Sequence, residues 1–544
     1  MNPQQQHIQH RIEAIVKEQF SLDTVTVELA VPNDPTHGDY ATNVAMKLAK
    51  PLRLNPLMIA QRIVEHLTPD AILREASVAP PGFINVRLSH ATLYGVLSTI
   101  LNEGSNFGQG QDKGETILIE FVSVNPTGSM HIGHARGAAA GDALARLLKR
   151  AGYTVEKEFY VNDAGNQIDN LGLSLKARIE EQLSLPFTMP EDGYYGSEIE
   201  ALARELIAKE GPDITKKPLM YFKDIGVEAL MQGIKNDLEA FRVTFDRYFS
   251  EQSLYQSQAV ESTVETLQKK GYTYRDDDAL WLKTSVFGDE KDRVLIKKDG
   301  SYTYITPDIA YHHDKIKRGY DRLIDILGGD HHGYVGRLKA AIAMLGETPD
   351  LLEIELLQMV RVIQDGVEVK MSKRSGKALS LRDLIEDVGV DPIRYFFAMR
   401  SLNTHMDLDL DLALKQTNEN PVYYVQYAHA RICRLLEKAK SQGFQPDPTR
   451  TEYTTLKGEK IETLLKHLAL YPETIERSAM HRMVHKIPLY VHKLATALHS
   501  FYSDEVVLTD NRHHVIERLN LLQATQIILR DALEILGVEA KEVM

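Results

Sequence analysis

The hydrophobic pattern changes character twice along the chain. In the first stretch Ile8, Ile12, Ile15, Val16 and Phe20 recur at helical spacing. TVTVELAVP then alternates apolar and polar residues as a half-buried strand does. NDPTHGDY reads as a polar turn, ATNVAMKLAKPL as a second helix, and GFINVRLS as a strand introduced by Pro80-Pro81-Gly82. ATLYGVLSTIL leads out as a helix into the Gly/polar linker NEGSNFGQGQDKGE. These signals predict a small α+β domain over residues 1–110.

From about residue 115, short β-rich runs alternate with helical stretches. The runs are ILIEFVSV, TVEKEFYV, RVLIKKDGSYTYIT, RLIDILGG and LLQMVRVIQ. Strands separated by long helical segments predict a parallel α/β sheet over 111–382. Residues 165–250, from GNQIDNLGLSLKARIEEQL to EALMQGIKNDLEAFRVTF, interrupt the alternation as a largely helical insertion. From 383 to 544 helix signals dominate, as in VYYVQYAHARICRLLEKA and HKLATALHSFYS, and predict a separate all-α domain.

A chain of 544 residues exceeds a single core, in keeping with several domains. Its 43% apolar and 26% charged residues are ordinary for a globular protein. The one cysteine, Cys433, excludes a disulfide framework and most zinc sites, and fits a reducing compartment. The first twenty residues lack an apolar signal core, and no apolar run approaches membrane-spanning length. The expectation is a cytoplasmic protein without a membrane partner. The net charge of −13 argues against a polyanion partner, but it is unevenly spread. Residues 421–544 carry 16 Lys/Arg against 15 Asp/Glu and eight of the 20 histidines. Such a tail can offer a local basic face to nucleic acid, although mixed surface charge on helices accounts for the same numbers.

Candidate chemistry centres on NPTGSMHIGHARG, Asn125 to Gly137, between an apolar run and a helix. His131 and His134 lie three apart and can share a helix face. As a metal site the pair lacks an HExxH pattern, a nearby cysteine and a third ligand at suitable spacing. A second reading is a tight strand-to-helix turn with incidental histidines. A third is a phosphate site: a helix N-terminus offers free N–H groups and the positive dipole end to an anion. There Gly133 leaves room for a purine against the backbone, and imidazoles donate to phosphate oxygens. A second element separates the readings. In KMSKRSGKALSLRDL, the residues Lys370, Lys373, Arg374 and Lys377 fall within eight positions after a predicted strand. Alone this is a solvated basic loop. Facing His131-Ile132-Gly133-His134 across an α/β cleft, it makes a clamp for a triphosphate.

HIGH (131–134) with KMSKR (370–374) resembles the signature pair of class I aminoacyl-tRNA synthetases. IEFVSVNPTGSMHIGHARG, YVNDAGNQI, YITPD, GGDHHGY, VKMSKRSGKALSLRDL, NPVYYVQYAHARI and LGVEAKEVM are similar to blocks of the arginyl-tRNA synthetase family, over nearly the whole chain. The resemblance implies a Rossmann-like catalytic domain over 111–382, a tRNA-contacting N-terminal domain over 1–110 and an all-α anticodon-binding domain over 383–544. It implies an arginine–tRNA ligase that uses ATP with Mg2+, forms arginyl-adenylate and transfers arginine to the terminal adenosine of tRNA(Arg). It further implies that arginine activation waits for bound tRNA.

The same resemblance assigns roles residue by residue. His131, His134, Lys370 and Lys373 are catalytic, and with Gly133, Met371 and Ser372 they bind ATP. Glu120, Ser123, Asn125, His134, Tyr304, Asp308 and Asp330 bind arginine. Asn162, Asp163 and Gln167 line the site of the terminal adenosine. In the anticodon-binding domain that the resemblance implies, Tyr423, Tyr427 and Arg431, with Tyr424 and His429, are chemically suited to stack on and contact loop bases, while the apolar periodicity of their helix places some of these tyrosines in the core. The spacing of Tyr304 and Asp308, with Pro307 opening a helix, allows both to enter one pocket, where a guanidinium wants a carboxylate and a hydroxyl. No resident metal is expected, and the protein is expected to be a monomer. The rivals are a class I synthetase for another amino acid, a small nucleotidyltransferase, and a non-catalytic tRNA-binding protein.

Overall fold

Five parallel strands carry the unit formed by residues 111–422 and 535–538, in a computed structural model that describes residues 3–22, 24–32, 34, 37–369 and 379–544. In chain order the elements that build its site are β1 (Thr116–Glu120), α1 (Ile132–Arg150), β2 (Thr154–Val161), β3 (Arg247–Ser250), α2 (Glu251–Gln256), α3 (Ile305–Lys317), β4 (Arg322–Gly328), α4 (Val335–Leu345) and β5 (Leu352–Leu357). The strand order is β5-β4-β1-β2-β3, with Ile119 of β1 opposite Lys157 of β2 and Ile324 of β4. Ile117, Leu118 and Ile119 are all buried, the unbroken apolar run of a strand covered on both faces. The chain moves outward from β1 through β2 and β3, then returns to β1's other side for β4 and β5. Ligands of such sheets bind at the carboxyl ends where the order reverses, here the ends of β1 and β4. The helix α1 lies close to the sheet because a Cβ at Gly141 would fall 2.3 Å from the Phe121 ring.

The parallel sheet and the helical insertion follow the predicted pattern. The insertion folds as Asn166–Gln182, Ser197–Glu210 and Leu219–Ala240 around Leu171, Leu175, Ile199 and Phe222. Two runs read as parallel-sheet strands go elsewhere. Arg293–Ile296 joins Thr273–Asp276 and Ala279–Leu282 in a separate antiparallel sheet. LLQMVRVIQ breaks in two: its first half ends β5, while Val360–Gln364 pairs with Val367–Glu368 and Met406–Asp409. A short apolar run carries no record of which partner satisfies its backbone, so periodicity cannot separate these cases.

The other unit comprises residues 1–110, 423–534 and 539–544. Its sheet places Phe83–Leu88 between Tyr40–Thr42 and Leu73–Ala79. TVTVELAVP, read as a strand, makes only the isolated bridge Ala30–Ala41, although Val27 is buried as its alternation predicts. The helices Pro421–Ser441, Glu459–Ala469, Tyr471–Met480, Lys486–Asp504 and Arg512–Ile535 supply most of the rest. Within this unit Ser98 Oγ donates to the Arg450 carbonyl at 2.9 Å, and Lys466 pairs with Asp39 at 2.6 Å.

Candidate active site

The N-terminus of α1 is built from the HIGH residues themselves. His131 is the N-cap: its Nδ1 accepts the Gly133 N–H at 3.0 Å, while His134 Nδ1 accepts the His131 N–H at 3.3 Å. Both Nδ1 atoms are therefore unprotonated, and each neutral ring carries its hydrogen on Nε2. The rings stack with centroids 3.6 Å apart. Burial lowers both imidazoles, that of His134 to about 4 with help from His131, so both are neutral near pH 7. The arrangement offers two Nε2–H donors and a helix N-terminus rather than two cations. A Cβ at Gly133 would lie 3.0 Å from His131 Cε1, so in this structure the glycine makes room for a histidine ring.

Lys370, Met371, Ser372, Lys373, Arg374 and Lys377 lie outside the described residues. The flank of that segment is bound to the HIGH turn: His131 and Ser380 form a bridge, and Leu381 N–H donates to the Met130 carbonyl at 2.8 Å. Arg136, buried on α1, donates to the carbonyls of Gln358, Ser401 and Thr404 at 2.7–3.0 Å. These bonds fix α1 against the loop segments before and after 370–378 in the chain, a role that sequence reading did not find.

The end of β1 gathers the arginine-binding candidates. Val122 and Ser123 both take left-handed φ, 71° and 40°, unfavourable for non-glycine residues and most of all for a β-branched one. The turn aims Ser123 Oγ back at Glu120 Oε1, 2.9 Å away, and Oγ accepts the Tyr160 N–H at 3.1 Å. The other Glu120 oxygen takes Lys315 Nζ at 2.6 Å; the same ammonium donates to Asp325 at 2.8 Å. Burial pushes the Glu120 carboxyl up against the pull of Lys315, while Lys315 is itself raised by its two carboxylates despite burial. Asn125 Nδ2 donates to Gln167 Oε1 at 2.8 Å, bringing together a residue expected at the amino acid and one expected at the terminal adenosine.

Asp308, in the first turn of α3, accepts the Tyr334 hydroxyl, and burial pushes its carboxyl up. Glu251 opens α2 at the end of β3, and sequence reading missed it. Its carboxyl is pushed up to about 7 by burial, then by Asp308 and Asp163. Its signal was positional: a carboxylate at a strand-to-helix junction, the counterpart of His131 one strand pair away. Tyr304 is 88% exposed, so the four-residue spacing does not bring its side chain beside Asp308 here. Asp330 is also exposed, with His331 3.8 Å away. Asp163 accepts from Ser250 Oγ at 2.5 Å and from Gln252 N–H at 2.8 Å, which caps α2; Asn162 is half-buried and Gln167 exposed. Among the described residues, no three His, Cys, Asp or Glu side chains are grouped to hold a metal.

In the other unit, Tyr423 and Tyr427 stack one helical turn apart at 6.2 Å, and Tyr427 stacks on His499 at 5.9 Å. Tyr424 packs on His492 and His499, and the Arg431 guanidinium lies 4.1 Å from the Tyr502 ring. His429 is instead fully buried, with Nδ1 on the Lys541 carbonyl.

Three family descriptions match the chain. They are "Arginyl tRNA synthetase N terminal domain" over residues 4–88, "tRNA synthetases class I (R), catalytic domain" over 96–394 and "DALR anticodon binding domain" over 425–544. The arginine–tRNA ligase of Bacillus subtilis is 46% identical over 540 residues, covering 98% of this chain and 97% of its own. Arginine–tRNA ligase 1 of Halalkalibacterium halodurans is 48% identical over 525 residues, covering 95% and 94%. In fold, the chain is similar to the solved Thermus thermophilus arginyl-tRNA synthetase, with a TM-score of 0.76, 22% identity, and coverage of 99% of this chain and 100% of that one.

Proposed function

Because the chain belongs to the arginyl-tRNA synthetase family and is an arginine–tRNA ligase of class I, we propose how its own residues carry the reaction. ATP, L-arginine and tRNA are its substrates. Asp308 and Glu251 take the guanidinium, whose planar, permanent charge suits two carboxylates. The observation that carries this reading is that both carboxyls are pushed up, each by burial and Glu251 also by Asp308. Two such acids acting on one another are relieved by a guanidinium, a role that Lys315, already shared by Glu120 and Asp325, does not fill. Tyr304 closes over the side chain from its exposed position, and Asp330 adds a polar contact. Glu120, held by Ser123 and Lys315, takes the α-ammonium, while Asn125 and His134 lie towards the carboxylate.

The arginine carboxylate attacks the ATP α-phosphate in line, forming arginyl-adenylate and releasing pyrophosphate. His131 and His134 donate their Nε2–H groups to phosphate oxygens, beside Gly133. Lys370 and Lys373, with Met371 and Ser372, stabilise the developing charge. Mg2+ bound to the ATP would supply further neutralisation of the phosphate charge that His131, His134, Lys370 and Lys373 meet. A ribose hydroxyl of the terminal adenosine, bordered by Asn162, Asp163 and Gln167, then attacks the adenylate carbonyl and AMP leaves. Bound tRNA is required for the first step. Residues 111–382 act as the catalytic domain and 1–110 contact the tRNA body. Of residues 383–544, expected as one all-α domain, the part from Tyr423 on holds the anticodon, on the face of Tyr423, Tyr427 and Arg431, while 383–422 fold in the catalytic unit and add the strand Met406–Asp409 to it. The enzyme works as a cytoplasmic monomer with no membrane partner, a reading supported by its lone cysteine; no described helix is long and apolar enough to cross a membrane.

Aminoacylation of bulk tRNA with each amino acid in turn tests the whole. Charging with arginine alone, reduced in Asp308→Asn through arginine KM, is expected. An Asp308→Asn enzyme with unchanged arginine KM would overturn the pocket.

A further inference from the structure

Tyr160, next to last in β2, is buried, at 6% exposed. Its ring is held on two sides, by Phe249 at 6.1 Å in near-parallel stacking and by Tyr311 at 4.5 Å. Its hydroxyl is buried and closes no well-formed hydrogen bond, although it lies near enough to Glu251 to favour that carboxyl's ionised form. A buried unpaired hydroxyl is costly, and the rare ones ask for an explanation. The charged groups that act on this phenol are Glu251, Asp308 and Glu120, with the Tyr255 hydroxyl beside them. A phenol can donate one hydrogen to a carboxylate while its oxygen accepts from a cation. Glu120 is already paired with Lys315, so Glu251, Asp308 and a hydroxyl without a well-formed partner are left to share one space.

We propose that Tyr160 is a substrate-positioning residue for arginine, donating its hydroxyl hydrogen to Glu251 and accepting a guanidinium N–H on its oxygen. The inference rests on the reading of Asp308 and Glu251 as the guanidinium ligands. The backbone of the same residue serves the opposite end of the amino acid. Tyr160 N–H donates to Ser123 Oγ, which in turn donates to Glu120, the α-ammonium ligand. One residue thus sets the distance between the two ends of the substrate. A shorter side chain would leave the hydroxyl unpaired again, and a neutral isostere would leave Glu251 and Asp308 facing each other. The groups facing Glu251 are Asp308 on α3, Asp163 after β2, Tyr160 on β2 and Tyr255 on α2. The phenol and Tyr255 favour its ionised form, whereas the two aspartates oppose it.

The test is Tyr160→Phe in the full-length enzyme, with Asp308→Asn in parallel, assayed by aminoacylation against arginine, ATP and tRNA. Removing one hydrogen bond to a charged partner is expected to raise arginine KM about tenfold or more, while ATP and tRNA KM stay within about twofold. Glu251 loses a donor, so the acid limb of kcat/KM for arginine moves to higher pH, which a mere loss of packing would not produce. An arginine KM within about twofold of the parent, with an unmoved limb, would overturn the inference. If Asp308→Asn raises arginine KM and Tyr160→Phe does not, only this inference fails. If neither does, the pocket reading fails with it. Should Tyr160→Phe charge too slowly to analyse, the arginine-dependent rise in melting temperature decides. A smaller rise than the parent's supports the role, and an equal rise overturns it.

Discussion

Replacing Lys315 by methionine removes the ammonium and keeps most of the side-chain volume. Lys315 is fully buried, with Nζ 2.6 Å from Glu120 and 2.8 Å from Asp325. The second oxygen of Asp325 is on His312 Nε2 at 2.9 Å, and that of Glu120 on the Ser123 hydroxyl, so without Lys315 Asp325 keeps only an imidazole and Glu120 only a neutral partner. Breaking a buried ion pair from one side costs about 3–5 kcal/mol, because the remaining charge is left uncompensated. Two carboxylates here share one ammonium, so the upper part of that range applies near pH 8. The sign with pH is fixed. Both acids gain raised carboxyls in the variant, so its deficit is largest above the ordinary carboxylate range and shrinks as pH falls towards 5 and one acid protonates. Adding Glu120→Gln removes one orphan and restores about 1–2 kcal/mol. Urea unfolding followed by Trp281 reads the effect: it is the chain's single tryptophan and lies in the same unit. A loss below about 1 kcal/mol, or the same loss at pH 5 and pH 8, would refute the reasoning.

Three further outcomes are expected. Gly133→Ala puts a Cβ 3.0 Å from the His131 ring; displacing that donor lowers kcat about 10- to 100-fold with arginine KM little changed, and an unaltered kcat would contradict the role given to the turn. His134 is held neutral down to about 4 in the fold, against about 6.5 when unfolded, so stability falls as pH drops from 6.5 towards 4. Melting temperatures should decline less steeply over that window in His134→Gln, and equal slopes would count against the capping arrangement. Tyr427→Ala removes one aromatic platform. It should raise tRNA KM about 5- to 100-fold, from stacking of about 1–3 kcal/mol per base, and leave ATP and arginine KM alone.

What the sequence showed was mostly what a single element records. The run ILIEFVSV, the Gly-rich turn and the helix after it lie within about thirty residues, and each carries its own periodicity or turn chemistry. The strand order does not, which is why Arg293–Ile296 and Val360–Gln364 were assigned to the wrong sheet. The site divides in the same way. His131 and His134 were legible because spacing and glycines encode a helix mouth. Glu251, Tyr160, Lys315 and Arg136 were not, because each acts through a partner 57 to 268 residues away in the chain or through burial. The capping role of the two histidines, which makes them neutral donors, depends on backbone angles at His131 that no spacing specifies. Tyr304 shows the reverse limit: its spacing from Asp308 was right for one helix face, yet it stands at the helix N-cap and is exposed.

The pair Asp308 and Glu251 carries the claim of arginine recognition, and proton release measures it directly. Arginine enters as a permanent cation, so both carboxyls must ionise to receive it. With the Glu251 carboxyl near 7 in the free enzyme, arginine binding at pH 7 should expel about half a proton or more per molecule. Titration calorimetry in two buffers of different ionisation enthalpy reads this number, which should fall towards zero at pH 8.5. Binding at pH 7 with no net release, or with uptake, would contradict the account.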